Sequence, residues 1–347
     1  MLHCPMAGRT ALLLAALLFP QIASPQDPRL ADQFGEEITV SLISMTVRVV
    51  DSRGYPITGL GPEDFRVRVG KQEVPVVGVD WFSSGEPAPA VEAPADPAAP
   101  IPEPRPAGKL VVFWVQADLN PTRISGQLRL RPYTEELLET LHPADRMAVI
   151  SFDSHLHLRQ DFTHDREAVY AAIDRGMLFG ESETGAGSGE VSLKGSFDPD
   201  AAVAAASPER ALEVTAETLA DLPGEKIIVF LGWGLGRFSS FGVQMTPAFY
   251  PAVRALRRAN IPVFVLDVTS ADYHSLEVGL ESVAHATGGT YAKTNVLTGL
   301  ATDFLARAIS GHYVVTIDPE SVTKGGPVTI ELRDRKGSVI TRPVTLR

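Results

Sequence analysis

Short, unbroken apolar runs recur between residues 109 and 310: Leu110-Val111-Val112-Phe113-Trp114-Val115, Met147-Ala148-Val149-Ile150-Ser151-Phe152, Ile227-Ile228-Val229-Phe230-Leu231 and Ile261-Pro262-Val263-Phe264-Val265-Leu266. Runs without polar alternation suit strands covered on both faces. Helical spacing separates them, at residues 132–141, 165–177, 199–222, 247–260, 276–287 and 297–309. Gly288-Gly289 supplies a stop signal after one of these helices. A hairpin strand is expected at 156–162, a Gly/Ser-rich loop at 179–198 and a short strand at 290–292. Strand and helix in alternation predict an α/β fold, a doubly wound and mostly parallel sheet with helices on both faces.

The flanks follow a different period. Residues 37–82 read as strands, with Phe65-Arg66-Val67-Arg68-Val69 alternating cleanly and turns at Asp51-Ser52-Arg53-Gly54 and Gly70-Lys71. So few strands are not stable alone. Residues 311–347 return to β, at 312–317, 328–333 and 339–346. They are expected to join the first segment in one small sandwich-like unit, the alternative being a separate appendage. Between the first segment and the α/β region, residues 83–108 carry Pro87, Pro89, Pro94, Pro97, Pro100, Pro102, Pro104 and Pro106 among Ala and Glu. This is a linker of polyproline type. At ~3.1 Å per residue it spans several tens of Å or lies along the surface.

Residues 1–26 read as a secretory signal: Arg9 gives a positive start, residues 11–19 a short apolar core, and Ala23 and Ser24 a small-residue cleavage region. The apolar core falls short of the ~20 residues a spanning helix needs. The alternative is an uncleaved anchor. The expected location is secreted or periplasmic, with no transmembrane segment in the mature chain. Cys4, the single cysteine, lies in that signal, so the mature chain has no disulfide and no thiolate chemistry. A formal net charge of −11 argues against nucleic acid. The densest basic group, Arg254, Arg257 and Arg258, falls on a helix and reads as a solvated face.

Several stretches resemble the von Willebrand factor type A family. They are Arg146-Met147-Ala148-Val149-Ile150-Ser151-Phe152-Asp153 with Asp161-Phe162-Thr163-His164-Asp165-Arg166 after it, Pro223-Gly224-Glu225-Lys226-Ile227-Ile228-Val229-Phe230, residues 261–267, and Ala284-His285-Ala286-Thr287-Gly288-Gly289-Thr290-Tyr291. The flanks, through Asp51-Ser52-Arg53-Gly54-Tyr55-Pro56-Ile57-Thr58-Gly59-Leu60 and Glu63-Asp64-Phe65, are similar to an acidobacterial branch of that family. The resemblance implies one antiparallel edge strand and a ligand face at the carboxyl ends of the strands. It also implies a divalent ion there, held by Asp-x-Ser-x-Ser after the first strand, a later Thr, and an Asp after the fourth strand. Mg²⁺ or Ca²⁺ suits such hard oxygen ligands.

The chain departs from that pattern. The first strand is followed by Gln116-Ala117-Asp118-Leu119-Asn120, with Gln116 or Ala117 at the leading Asp position and neither serine, and Gly232-Trp233-Gly234 stands where Asp-Gly is expected. Asp118 and Asn120 are the oxygens left for a metal, and one carboxylate with one amide is a weak set for a cation that keeps six or more oxygens. No cofactor is therefore expected.

Gly232-Trp233-Gly234-Leu235-Gly236-Arg237 follows a strand, but Arg237 replaces the third glycine of a dinucleotide loop, so it reads as a flexible loop at the ligand-facing edge. No Gly-x-Ser-x-Gly elbow occurs. His155 and His157 share a strand face by period two, close to His164, Asp153 and Asp161. They form either a metal pair or a solvated hairpin. The reading is a non-enzymatic interaction protein that binds a protein or envelope component through Asp118, Asn120, Trp233 and Asp267. A hydrolase using Asp and His on the loop face, and a structural module of an envelope assembly, are the alternatives.

Overall fold

The computed structural model describes residues 42–83, 108–180, 184–189, 191–240 and 242–346. The expected signal, residues 1–26, and residues 84–107 of the proline-rich stretch lie outside the described residues. No helix among the described residues is long and apolar enough to cross a membrane.

Four strands come first: β1 (Ile43–Val50), β2 (Phe65–Val69), β3 (Gln72–Val74) and β4 (Val76–Ser83). In the α/β region, β5 (Leu110–Gln116) leads through α1 (Pro121–Thr140) to β6 (Arg146–Phe152), which turns back as β7 (Leu156–Thr163). Three helices follow, α2 (Arg166–Met177), α3 (Pro199–Ala204) and α4 (Pro208–Ala220), and then β8 (Lys226–Gly232). A small hairpin, β9 (Arg237–Ser239) and β10 (Gly242–Gln244), precedes α5 (Phe249–Arg258) and β11 (Val263–Asp267). The region ends with α6 (Glu277–Thr287), β12 (Tyr291–Lys293) and α7 (Thr298–Ala308). The last described strands are β13 (Gly311–Ile317), β14 (Gly326–Leu332), β15 (Ser338–Thr341) and β16 (Val344–Leu346).

The central sheet runs β12-β11-β8-β5-β6-β7. Every neighbouring pair is parallel except β6 with β7, which is antiparallel. From β5 the chain winds to β6 and β7, then returns to β8 on the other side. Strand order therefore reverses beside β5, and the loops after β5, β8 and β11 flank a crevice at their carboxyl ends. This doubly wound sheet with one antiparallel edge is the architecture that the apolar runs and the family resemblance led us to expect.

The unbroken strands feed two cores. Leu110, Val112 and Trp114 of β5 face one side, packing with Leu212, Leu219, Leu256 and Leu280. Val111, Phe113 and Val115 face the other, packing with Leu130, Leu138, Val169, Ile173 and Leu305. Trp114, fully buried, donates its indole N–H to Thr215 Oγ1 at 3.1 Å, so its polar atom is satisfied.

The flanking segments form two four-stranded sheets, β15-β1-β13-β4 and β16-β14-β2-β3. All the neighbouring pairs are antiparallel. Early and late strands interleave in the first sheet and meet at the β14–β2 pair in the second. Val47, Val49, Phe65, Val67, Tyr313, Val315 and Ile330 make their shared core. The Tyr313 hydroxyl bonds to Ile57 O at 2.9 Å and receives Leu60 N–H at 3.2 Å, pinning the excursion between β1 and β2.

This sandwich meets the α/β region at the amino ends of the strands, opposite the crevice. Buried Arg48 of β1 pairs with Glu225, just before β8, at 2.9 Å, and His312 Nδ1 of β13 lies 3.3 Å from the same oxygen. Burial pushes the Glu225 carboxyl up, but His312, Arg48 and Lys109 overcome it and hold its pKa at about 2.

Three elements differ from the sequence reading. Helix α1 begins at Pro121, well before residue 132, because Asn120 caps it and Pro121 fits the first helical position. Pro132, read as a start, lies inside the helix. The helix expected over 199–222 is two, since Ser207 caps a new start at Pro208. The glycine loop after β8 enters the hairpin β9–β10 rather than a helix, so no helix N-terminus awaits a phosphate there, and the dinucleotide reading lapses.

Candidate functional site

The sharp exit of β5 is set by side chains. Asp118 Oδ1 receives the N–H of Asn120 at 2.6 Å, and Asn120 Oδ1 receives the N–H of Thr122 at 3.0 Å, closing a turn straight into α1. Helix α1 then lies against the loop after β11. A Cβ at Gly126 would stand 1.5 Å from the carbonyl oxygen of Val268, so only glycine allows this approach.

Gln116, the last residue of β5, is fully buried. Its Oε1 accepts from Trp233 N at 2.9 Å and Gly234 N at 3.2 Å, and its Nε2 donates to Gly234 O at 2.9 Å. One amide thus ties β5 to the loop after β8. Beside it, the Asp118 carboxylate pairs with the Arg123 guanidinium, which stacks 3.3 Å above the centre of the half-buried Trp233 ring. Asp118, Asn120 and Trp233 therefore stand together at the crevice.

Their oxygens do not fit a hard divalent ion. Asn120 Oδ1 also accepts the Thr122 hydroxyl at 2.7 Å, so it is spent on the helix cap. Asp118 is neutralised by Arg123, whose positive charge repels a second cation, and both lone-pair directions of Gln116 Oε1 meet backbone N–H groups. The expected weak pair, Asp118 and Asn120, is thus directed into the protein itself.

Asp267 ends β11 and is only 2% exposed. Its Oδ2 contacts His274 Nε2 at 2.6 Å and receives the Tyr291 hydroxyl at 2.7 Å, while Oδ1 receives Thr269 N–H at 2.9 Å. Burial pushes this carboxyl up, but His274, Tyr291 and the Thr269 N–H hold it below the usual carboxylate range. Burial and then Asp267 push the Tyr291 phenol far up. Glu277 lies beside this pair and is bridged by Lys293 at 2.8 Å. Asp267 and His274 thus converge as an acid–base pair, and among the described residues no hydroxyl or thiol bonds to the other nitrogen of His274.

Sequence reasoning missed the outermost layer. The loops after β5, β11 and β12 are joined: Ser270 N–H donates to Thr122 O at 3.0 Å, Arg129 reaches Ser270 Oγ at 2.6 Å and Asn295 O at 3.1 Å, and Asn295 Nδ2 donates to Asp272 Oδ1 at 2.9 Å. On this braced platform stand Leu119 (72% exposed), Tyr273 (69%), Val296 (74%) and Leu297 (59%). Their signal was present for Leu119, Tyr273 and Val296, each a large apolar side chain in a polar loop outside any helix or strand period, whereas Leu297 stood at the start of an expected helix. Phe238 on the β9–β10 hairpin is exposed too.

The histidines near β7 separate. His164 Nδ1 bonds to Asp145 O at 3.0 Å, and Asp161 receives the N–H groups of Phe162 at 2.8 Å and Leu193 at 2.7 Å, which anchors the Gly/Ser-rich loop. Asp153, His155 and His157 stay together at the turn between β6 and β7.

No family model matches the chain, and no curated protein matches it in sequence. Among solved structures it is similar to a von Willebrand factor type A protein from Catenulispora acidiphila, at 11% identity and a TM-score of 0.40, over 89% of this chain and 74% of that one. It is similar to the vWF domain of the type V pili tip protein Mfa5 from Porphyromonas gingivalis, at 11% identity and a TM-score of 0.37, over 58% and 95%. A third likeness is the conserved hypothetical protein BatB from Bacteroides thetaiotaomicron, at 13% identity and a TM-score of 0.35, over 58% and 98%. The α/β region itself is a doubly wound sheet with a single antiparallel edge, as described above.

Proposed function

We propose that this chain is an exported, non-enzymatic interaction protein. Its crevice face docks a protein or envelope component, and it does so without the divalent ion of the family it resembles. One observation carries the reading: Leu119, Tyr273, Val296 and Leu297 stand exposed on loops braced to one another. Held rigid, such side chains lose little entropy on binding, and clustered exposed apolar groups mark contact surfaces. The Asp118–Arg123–Trp233 stack beside them adds an aromatic and an arginine, the types that anchor interfaces.

The test is saturable binding of the labelled full chain to isolated envelopes of the producing cell. Replacing Asp118 and Trp233 together with Ala is expected to weaken binding by about 100-fold, two anchors at ~1–2 kcal/mol each. EDTA is expected to leave it unchanged, and calorimetric titration with Mg²⁺ or Ca²⁺ to give no heat at this face. Unchanged binding by the double variant moves the site elsewhere.

The hydrolase reading rests on Asp267 and His274 at 2.6 Å. It expects turnover of an activated ester that His274→Ala abolishes. The interaction reading expects a rate no higher than buffer for both proteins.

A further inference from the structure

We propose that Asp153, His155 and His157, at the turn between β6 and β7, form a binding site for a borderline transition ion of the Zn²⁺ class. The site is distinct from the crevice residues above, and this proposal does not rest on the binding reading.

The turn is three residues long, because Phe152 pairs with Leu156 and Ser151 with His157 across the hairpin. That register brings residue 157 back beside residue 153. His157 Nε2 lies 3.2 Å from Asp153 Oδ2, and His155 Nδ1 lies 3.8 Å from Asp153 Oδ1. The two imidazole rings are 4.0 Å apart between centres, tilted by 52°. Three potential ligand atoms, one from each residue, lie within 4.8 Å of one another.

These spacings can be compared with what a metal requires. Tetrahedral zinc with bonds of about 2.0–2.1 Å separates its ligand atoms by about 3.3 Å. Measured from the single atom Asp153 Oδ1, His157 Nε2 lies at 3.3 Å, already that length, and His155 Nδ1 at 3.8 Å; with all three atoms within 4.8 Å of one another, the edges to His155 are the ones that must close around the ion. All three residues are partly buried, so their donors are held yet remain open to solvent. Ser154 Oγ, which donates to Asp153 Oδ1 at 2.9 Å and lies 3.1 Å from His155 Nδ1, steadies the carboxylate. The guanidinium of neighbouring Arg159 bonds to Ser151 Oγ at 2.7 Å and Gly180 O at 2.6 Å.

The other cluster of similar composition fails the same comparison. Asp267 and His274 are at 2.6 Å, a hydrogen bond with no room for an ion between them, and Glu277 is bridged by Lys293. Donor chemistry also fixes the ion class. Two imidazoles and one carboxylate favour Zn²⁺, Co²⁺, Ni²⁺ or Cu²⁺ over Mg²⁺ and Ca²⁺. Three protein ligands leave a fourth position for water or a carboxylate from another molecule. Since β6 is parallel to β5, the site lies at the same end of the sheet as the crevice.

The test uses the untagged full chain, stripped with a chelator and titrated with Zn²⁺ by calorimetry and with Co²⁺ by visible absorption. The expected result is about one equivalent bound, with a Kd of micromolar or below, and the intense visible bands of four-coordinate cobalt. His157→Ala and His155→Ala are each expected to weaken binding by at least 100-fold, since even groups that only support a ligand cost 10–100-fold. His274→Ala is expected to leave it unchanged, and Mg²⁺ and Ca²⁺ to give no competition. The absence of a Zn²⁺ heat overturns the proposal. So does a cobalt spectrum of six-coordinate type, or a Zn²⁺ heat that survives in the His155→Ala/His157→Ala double variant. The cobalt spectrum of the unaltered protein keeps the test valid if a variant fails to fold.

Discussion

Gln116 shows how one side chain can fasten two loops at the carboxyl end of a sheet. Its amide makes three bonds to the backbone of Trp233 and Gly234, all in a buried setting. Gln116→Ala leaves two buried N–H groups and a carbonyl unpaired, at ~1–3 kcal/mol for each group that finds no water. The expected outcome is a loss of about 3 kcal/mol in urea unfolding, with faster amide exchange at Trp233 and Gly234. Gly126→Ala tests the neighbouring approach. Its Cβ has no room beside Val268 O, so α1 must move outward, and a loss of about 3 kcal/mol is expected by the same measurement. Neither role was legible in the sequence. Gln116 read only as one of two positions for an absent aspartate, because its partners lie more than a hundred residues away. Gly126 stood in a stretch not yet read as helix.

Elements were far more legible than contacts. The runs at β5, β6, β8 and β11 were found because strands buried on both faces carry no polar positions, a pattern independent of partners. Boundaries set by side-chain hydrogen bonds were not found: Asn120 starts α1 and Ser207 starts α4, and each cap is visible only once its N–H partner is placed. Proline misled in the same way. Pro132 is exposed and lies mid-helix, where it removes a backbone hydrogen bond. Pro132→Ala is expected to stabilise the protein by about 1–3 kcal/mol, with a higher Tm and no effect on ligand binding. Of the candidate site, the sequence placed Asp118, Asn120 and Trp233 in loops that do meet, whereas it gave no means of knowing that Asp267 turns inward to His274 and Tyr291.

At the scale of the molecule, a buried charge cluster joins the sandwich to the α/β region. Glu225 is held at about pH 2 by His312, Arg48 and Lys109 against the opposing effect of burial. A carboxyl depressed in the folded state contributes stability that is fully present above its ordinary pKa and is lost as pH falls through the folded one. The window here runs from about pH 4.5 down to 2, and the contribution is at most about 3 kcal/mol. Unfolding followed by circular dichroism should weaken across that window. Glu225→Gln should be less stable at pH 7, where Arg48 loses its partner, and should respond less to acid between pH 4.5 and 2.

The position of β1 between β13 and β15, and the pairing of β2 with β14, set an order of events in time. Synthesis is vectorial, so β1 to β4 emerge with unsatisfied edges and must wait while the whole α/β region is made. The sandwich closes only when β13 to β16 arrive. Until then the nascent chain presents open β edges of the kind chaperones shield. Closure of the sandwich thus depends on strands made after the whole α/β region.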